Sequence, residues 1–248
     1  MLELAFRHLS KKSNCSWTQL KFWINVVVSF ELITRTYSTS QKPIKAIIAI
    51  HGWEGDEYVF EQVAKLISLE NSEWFFPRAP YRADSDNGNS WFGGNDEDGW
   101  KFDKTFDGMN NLINKIQTSG YSTSNIFLIG FSQGACLAID FALRLPFSIG
   151  GIISIAGFIK FKERFLKDAT KESTRTPILL MHGNQDDVIS VKAGKTTNDI
   201  LVEKGYPIHF ERYDAKHKIP LKKMNLINKF IKDPTSIVKS KNLNPTHP

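Results

Sequence analysis

The chain has 248 residues, 41% of them hydrophobic and 23% charged, which fits one α/β domain with a real core and excludes a disordered or collagen-like chain. Its net charge of +6 raises nucleic-acid binding, but the lysines form no central stripe. Lys216, Lys218, Lys222, Lys223, Lys229, Lys232, Lys239 and Lys241 crowd toward the C-terminal end, as a solvated helix face and tail do.

The two cysteines are Cys15 and Cys136, and no CxxC or Cys/His cluster suggests a metal, so no metal or cofactor is expected. Cys136 reads as a buried small hydrophobe, which fits a reducing compartment. In residues 1–40, Arg7, His8, Lys11, Lys12 and Lys21 precede an apolar stretch from Phe22 to Ile33. That stretch is too short to cross a membrane and carries Glu31, so no stable membrane insertion is expected. Arg35-Thr36-Tyr37-Ser38 looks like a mitochondrial presequence cleavage site. Two plainer readings are preferred to a leader: an extension from a misplaced start codon, or an early strand with Val26, Val28, Phe30 and Leu32 on one face. The expected location is therefore cytoplasmic, with the mitochondrion the alternative if residues 1–37 are a presequence.

After Pro43 the pattern sharpens. Lys45 to Ile50 is a short apolar run that reads as a buried strand ending at His51-Gly52. Val59, Phe60, Val63, Leu66 and Ile67 predict a helix over 57–69, and Trp74 to Phe76 a strand stopped by Pro77. Residues 81–100 are rich in Gly, Asn and Asp and read as loop. Then come a helix over 102–118, a strand over 125–131, a helix over 133–145 ended by Pro146, and strands over 151–156 and 177–182. A helix over 191–204, a strand over 208–213 and a last helix over 219–232 follow. Strands alternating with helices imply parallel strands joined by right-handed crossovers, hence a mostly parallel, doubly wound sheet with helices on both faces. Residues 1–40 are taken as an extension, 41–232 as the catalytic domain and 233–248 as a polar tail.

Gly130-Phe131-Ser132-Gln133-Gly134 is a Gly-x-Ser-x-Gly pentapeptide with a strand before it and a small-residue helix after it. That is the context of a nucleophile elbow, in which glycines let neighbouring chain close around a strained serine. A serine hydroxyl needs a base, and the base an orienting carboxylate, in the chain order Ser, acid, His. Downstream, Asp186 and Asp187 lie in the loop after the 177–182 strand, and His217 in the loop after the 208–213 strand. Both loops leave the carboxyl ends of parallel strands, where ligands meet open sheets. One oxyanion donor is expected from the backbone N–H of Gln133 and a second from the loop after the first core strand, each worth roughly 2.7–4 kcal/mol.

These stretches resemble the phospholipase/carboxylesterase family of α/β hydrolases, which includes acyl-protein thioesterases. The matching pieces are His51-Gly52 with Gly55-Asp56, Pro77-Arg78-Ala79-Pro80, Ser90-Trp91-Phe92, Gly130 to Ala135, His182-Gly183 through Ile189, and His217. They cover residues 45–232 in the family's order. The resemblance implies an α/β-hydrolase fold with Ser132 as nucleophile and His217 as base. The family's acid stands four residues after the first histidine of the His-Gly loop, which selects Asp186. Asp187 remains the competitor, because this chain has an acid where relatives often carry proline. Trp53 matches the family's second oxyanion donor, although Glu54 stands where relatives usually have glycine. His51 and His182, in strand-end His-Gly turns, are read as structural.

The expected activity is hydrolysis of a small-molecule carboxylic ester through an acyl-enzyme, by a monomer or homodimer. The alternatives are an acyl-protein thioesterase or lysophospholipase, or, from another class, an inactive hydrolase-fold binding protein. Residues 158–165, with charges among aromatics, suit an amphipathic cover or a groove wall equally.

Overall fold

The computed structural model describes residues 30–85 and 87–238. Strands β1 (Thr34–Ser38), β2 (Lys45–Ile50) and β3 (Ser72–Pro77) come first, with helix α1 (Glu61–Ile67) between β2 and β3. Two short ladders follow, β4 (Tyr81–Arg82) with β5 (Asn89–Ser90) and β6 (Gly93–Asn95) with β7 (Gly99–Lys101), and then α2 (Asp103–Thr118). The remainder alternates through β8 (Ile126–Phe131), α3 (Gln133–Ala142), β9 (Gly151–Ile155) and α4 (Lys162–Asp168). It closes with β10 (Ile178–Gly183), α5 (Val191–Glu203), β11 (Ile208–Tyr213) and α6 (Met224–Lys232).

The central sheet runs in the order β1-β3-β2-β8-β9-β10-β11. All neighbours from β3 to β11 are parallel, and β1 lies antiparallel on β3 at the edge. Its inner strands are apolar at nearly every position because both faces are covered. Ile48, Ile50, Leu128, Ile152 and Leu180 pack against Met109 and Leu112 of α2, Leu137 and Phe141 of α3, and Leu201 of α5. Their neighbours Ile47, Ile129, Ile153, Leu179 and Met181 pack instead against Val63 and Ile67 of α1 and Ile227, Phe230 and Ile231 of α6. Each such side chain fully buried is worth about 1.5–3 kcal/mol, so the alternation within a continuous apolar run ties two helical layers to one sheet. From β2 the chain turns toward β3, and later it returns to place β8 on the other flank of β2. The loops after β2 and β8 therefore part in opposite directions, leaving a crevice at the carboxyl ends of the strands.

Several elements differ from the sequence reading. The helix expected from residue 57 begins at Glu61, because the Asp56 carboxylate accepts the Tyr58 N–H at 2.9 Å and shapes 57–60 as turns. The helix after Ser132 ends at Ala142, four residues before Pro146, since proline has no N–H for the carbonyl four residues back and its ring crowds that carbonyl. The last α-helix starts at Met224 behind a short 3-10 turn that follows Pro220. Residues 81–100 form the two small ladders rather than open loop, the second closed through left-handed Gly94 and Gly99.

The early strand is displaced from its expected place. Val26 to Ser29 lie outside the described residues, Phe30 to Ile33 have no regular structure, and the strand forms at Thr34–Ser38. A cut before Ser40 therefore falls behind a strand of the central sheet. β1 satisfies the outer edge of β3 from Thr34↔Pro77 to Ser38↔Glu73, and Arg35 pairs with Glu61 at 3.1 Å. A chain beginning at Ser40 is expected to be less stable than one beginning at Glu31, because it exposes the unpaired edge of β3. A loss of about 2 kcal/mol would lower Tm by roughly 4–8 °C at this size, and equal thermal melts for the two chains would contradict the role given to β1.

Candidate active site

Ser132 stands between β8 and α3 with φ 53° and ψ −118°. This left-handed geometry costs a non-glycine residue about 1–3 kcal/mol, and the surroundings enforce it. A Cβ on Gly130 would lie 2.3 Å from the Gly134 carbonyl oxygen, and one on Gly134 would lie 2.3 Å from the carbonyls of both Ile50 and His51. The Ser132 N–H is held by the Ile155 carbonyl at 2.9 Å, at the end of the neighbouring β9. The turn thus presents the hydroxyl above the sheet at the positive end of α3.

His217 is carried by the loop after β11. Its Nε2 is 3.0 Å from Ser132 Oγ and its Nδ1 is 2.8 Å from Asp186 Oδ2. Asp186 sits in the loop after β10 with its side chain fully buried. Its other oxygen, Oδ1, accepts the N–H groups of Val188 at 3.0 Å and Ile189 at 2.8 Å. Burial pushes the Asp186 carboxyl up, but the hydrogen bonds from His217, Ile189 and Val188 together outweigh it and hold its pKa below the ordinary value. An ionised Asp186 can only accept, so Nδ1 of His217 carries the proton and Nε2 is left to accept from the Ser132 hydroxyl.

The two histidine loops are also tied to each other. Gln185 N–H donates to the Ala215 carbonyl at 3.1 Å, and its side-chain amide donates to Asp214 at 2.7 Å. The Tyr213 hydroxyl donates to the Lys218 carbonyl at 2.8 Å, closing the His217 loop on itself.

Asp187 lies outside this line. It is exposed and pairs with Lys216 at 2.8 Å, so of the two adjacent acids only Asp186 reaches His217. The N–H groups of Val188 and Ile189 are site features that the sequence reading missed. They are backbone donors, and no side-chain pattern marks them.

Gln133 opens α3, where the first N–H groups have no preceding carbonyl within the helix to bond. Trp53 lies in the turn from Gly52 to Gly55, closed by Gly55 N–H to the Gly52 carbonyl at 3.1 Å. A Cβ on Gly52 would be 3.5 Å from that of Ser132, so the turn runs directly beside Ser132. Glu54 occupies the third position of that turn at φ 64°, a left-handed site where glycine is the usual choice. Here the acid is accommodated by its neighbours: its N–H donates to the Asn89 carbonyl at 2.9 Å, and its carboxylate accepts from Ser85 Oγ.

His51 and His182 face inward. His51 Nδ1–H donates to the Gly52 carbonyl at 2.6 Å while Nε2 accepts the Ala79 N–H at 3.1 Å, and burial lowers its pKa. His182 Nε2–H donates to the Ile189 carbonyl at 2.8 Å, behind the loop that cradles Asp186. Burial pushes the Cys136 thiol up to about 11, an inert thiol on the core side of α3. Among the described residues, no group of three or more His, Cys, Asp or Glu could hold a metal ion, and no helix is long and apolar enough to cross a membrane.

Comparison with known proteins identifies the family and the fold. A profile of the phospholipase/carboxylesterase family matches residues 33–234. The carboxylesterase SOBER1 of Arabidopsis thaliana is 28% identical over 68% of this chain and 79% of its own length. Acyl-protein thioesterase 1 of Kluyveromyces lactis is 28% identical over 79% of this chain and 95% of its own length. The crystal structure of A. thaliana SOBER1 superposes with a TM-score of 0.67 at 26% identity, covering 76% of this chain and 97% of that one. The crystal structure of esterase PE8 reaches a TM-score of 0.73 over 82% of this chain and 99% of its own, and at 22% identity it speaks to the fold alone. With a family match that spans β1 to the end of α6, the chain belongs to the phospholipase/carboxylesterase family of α/β hydrolases.

Proposed function

We propose that the protein cleaves carboxylic esters through an acyl-enzyme formed on Ser132. The observation that carries this reading is the unbroken line from buried Asp186 through His217 to Ser132, with contacts of 2.8 and 3.0 Å. Ser132 Oγ attacks the ester carbonyl carbon while His217 Nε2 takes its proton. The carbonyl oxygen becomes an oxyanion, received by the backbone N–H groups of Trp53 and Gln133. Collapse of the tetrahedral intermediate breaks the bond to the leaving group, which takes the proton from His217. Water then repeats both steps on the acyl-enzyme and frees Ser132. Asp186 keeps its charge throughout and stabilises the imidazolium that forms beside it.

The same steps serve an acyl thioester, and relatives named acyl-protein thioesterase 1 support that substrate as a second reading. An inactive relative is also known by name, a probable inactive carboxylesterase of rice 25% identical to this chain. The intact line of three side chains favours an active enzyme here. Initial rates on p-nitrophenyl esters from acetate to palmitate, beside a matched series of acyl thioesters, test the proposal. Saturable turnover of at least one series is expected. Folded protein that turns over neither would overturn it.

A further inference from the structure

The peptide between Gly52 and Trp53 carries the N–H assigned above to the oxyanion, and its orientation is set by groups outside its own turn. Its carbonyl, on Gly52, accepts from His51 Nδ1 at 2.6 Å and from Gly55 N–H at 3.1 Å. Because the N–H of a trans peptide points opposite to its carbonyl, those two bonds aim the Trp53 N–H away from them. The peptides on either side are held by residues 89–91. The Trp91 indole Nε1–H donates to the His51 carbonyl at 2.8 Å, the Asn89 carbonyl accepts the Glu54 N–H at 2.9 Å, and the Asn89 side chain donates to the Gly55 carbonyl at 3.0 Å.

Residues 89–91 are anchored in turn by Gln133, the residue after the nucleophile. Its Oε1 accepts the Trp91 backbone N–H at 2.8 Å, and its Nε2 donates to Ser90 Oγ at 2.9 Å. From the other side the Thr105 hydroxyl donates to the Trp91 carbonyl at 2.6 Å. The Trp91 ring is fully buried, 4.9 Å from the His51 ring.

We infer that Trp91 is a positioning residue for oxyanion binding. It transmits the placement of Gln133 to the Trp53 loop, so that the two N–H donors, one at the start of α3 and one in the turn after β2, stay in register. The inference rests on the reading of Ser132 as nucleophile and of Trp53 and Gln133 as donors. The indole acts through the backbone of the neighbouring loop and touches no reacting atom. Donors fixed in advance toward the developing charge are what makes such a hole effective, and losing one outright costs about 10²–10³ in kcat. Loosening one by removing its support costs part of that.

Trp91→Phe keeps an aromatic ring in the core and removes the indole donor. The expected result is a fall of about 10- to 100-fold in kcat, with KM within about twofold of the parent. Affinity for a trifluoromethyl ketone, which adds to the serine and places an oxyanion in the hole, should fall by a similar factor. The pH profile should not move, because residues 89–91 make no contact with Asp186 or His217 in the networks above. Gln133→Met keeps the backbone N–H, removes the anchoring amide and should act in the same direction. The double variant should lose no more than about the worse single one, since both act through one segment.

Two results would overturn the inference. One is parental kcat in both variants. The other is a loss that appears only as a smaller fraction of molecules titrated by a fluorophosphonate, with parental turnover per titrated site, which is the signature of a purely structural tryptophan. If Trp91→Phe does not fold, Gln133→Met decides between these results. Failure of the underlying reading looks different: Ser132→Ala would itself retain turnover.

Discussion

Replacing Ser132 by alanine is expected to lower ester turnover by about 10⁴- to 10⁶-fold while leaving the fold intact. The covalent route needs the oxygen that lies 3.0 Å from His217 Nε2, and alanine has none. What survives is the rate increase that substrate binding and the oxyanion donors supply without a nucleophile. The strained backbone at φ 53° is fixed by Gly130, Gly134 and the bond from the Ser132 N–H to the Ile155 carbonyl. None of these uses the hydroxyl, so circular dichroism and the thermal midpoint should match the parent. Retained turnover in a folded Ser132→Ala protein would remove the nucleophile from the mechanism.

The second large effect is expected at Asp186. Asp186→Asn should reduce kcat/KM by about 10⁴-fold, because an amide no longer enforces the tautomer that leaves His217 Nε2 free to accept. Asp187→Asn should change it by less than about threefold, since that carboxylate is exposed and holds only Lys216. The reverse order of losses would move the orienting role to Asp187. The Asp186 carboxyl also carries a stability signature. Its folded pKa is depressed, so its contribution to stability is complete above the ordinary carboxylate value of about 3.9 and is lost as pH falls through the lower folded value. The gap in denaturant midpoint between parent and Asp186→Asn should therefore narrow as pH falls below about 4. A gap that stays unchanged as the pH falls well below about 4 would contradict the charge assigned to Asp186.

How much of this could be read from the residues depends on which force shapes each part. The buried strands were legible because two covered faces demand apolar residues throughout, and β2 falls on the expected span; the partly buried edge strand β11 also falls on its expected span. β1 was not, since Thr34–Ser38 carries hydroxyls and an arginine, and its pairing is dictated by the open edge of β3 rather than by its own pattern. α4 hid for a related reason. Phe161 and Arg164 owe their places to aromatic partners far along the chain: Phe161 meets Phe92 and Phe102, and Arg164 covers the Phe102 ring at 3.6 Å.

In the site, the glycines of the elbow and the order of serine, acid and histidine carried the reading of Ser132 and His217. Adjacent Asp186 and Asp187 could not be separated by physical chemistry in one dimension. The loop separates them by burying one against two backbone N–H groups and turning the other toward Lys216. The tie from Gln133 through Trp91 to the Trp53 turn was equally invisible, because each of its bonds joins a side chain to the backbone of a distant segment.

The central claim is that Ser132 alone is the activated nucleophile, and it is tested most directly by labelling the folded protein with a fluorophosphonate and locating the adduct by peptide mass mapping. The expected result is one adduct per chain on the peptide containing Ser132, none in Ser132→Ala, and a labelling rate that falls with esterase activity in Asp186→Asn but not in Asp187→Asn. An adduct on another residue, or esterase activity that survives complete labelling of Ser132, would contradict it.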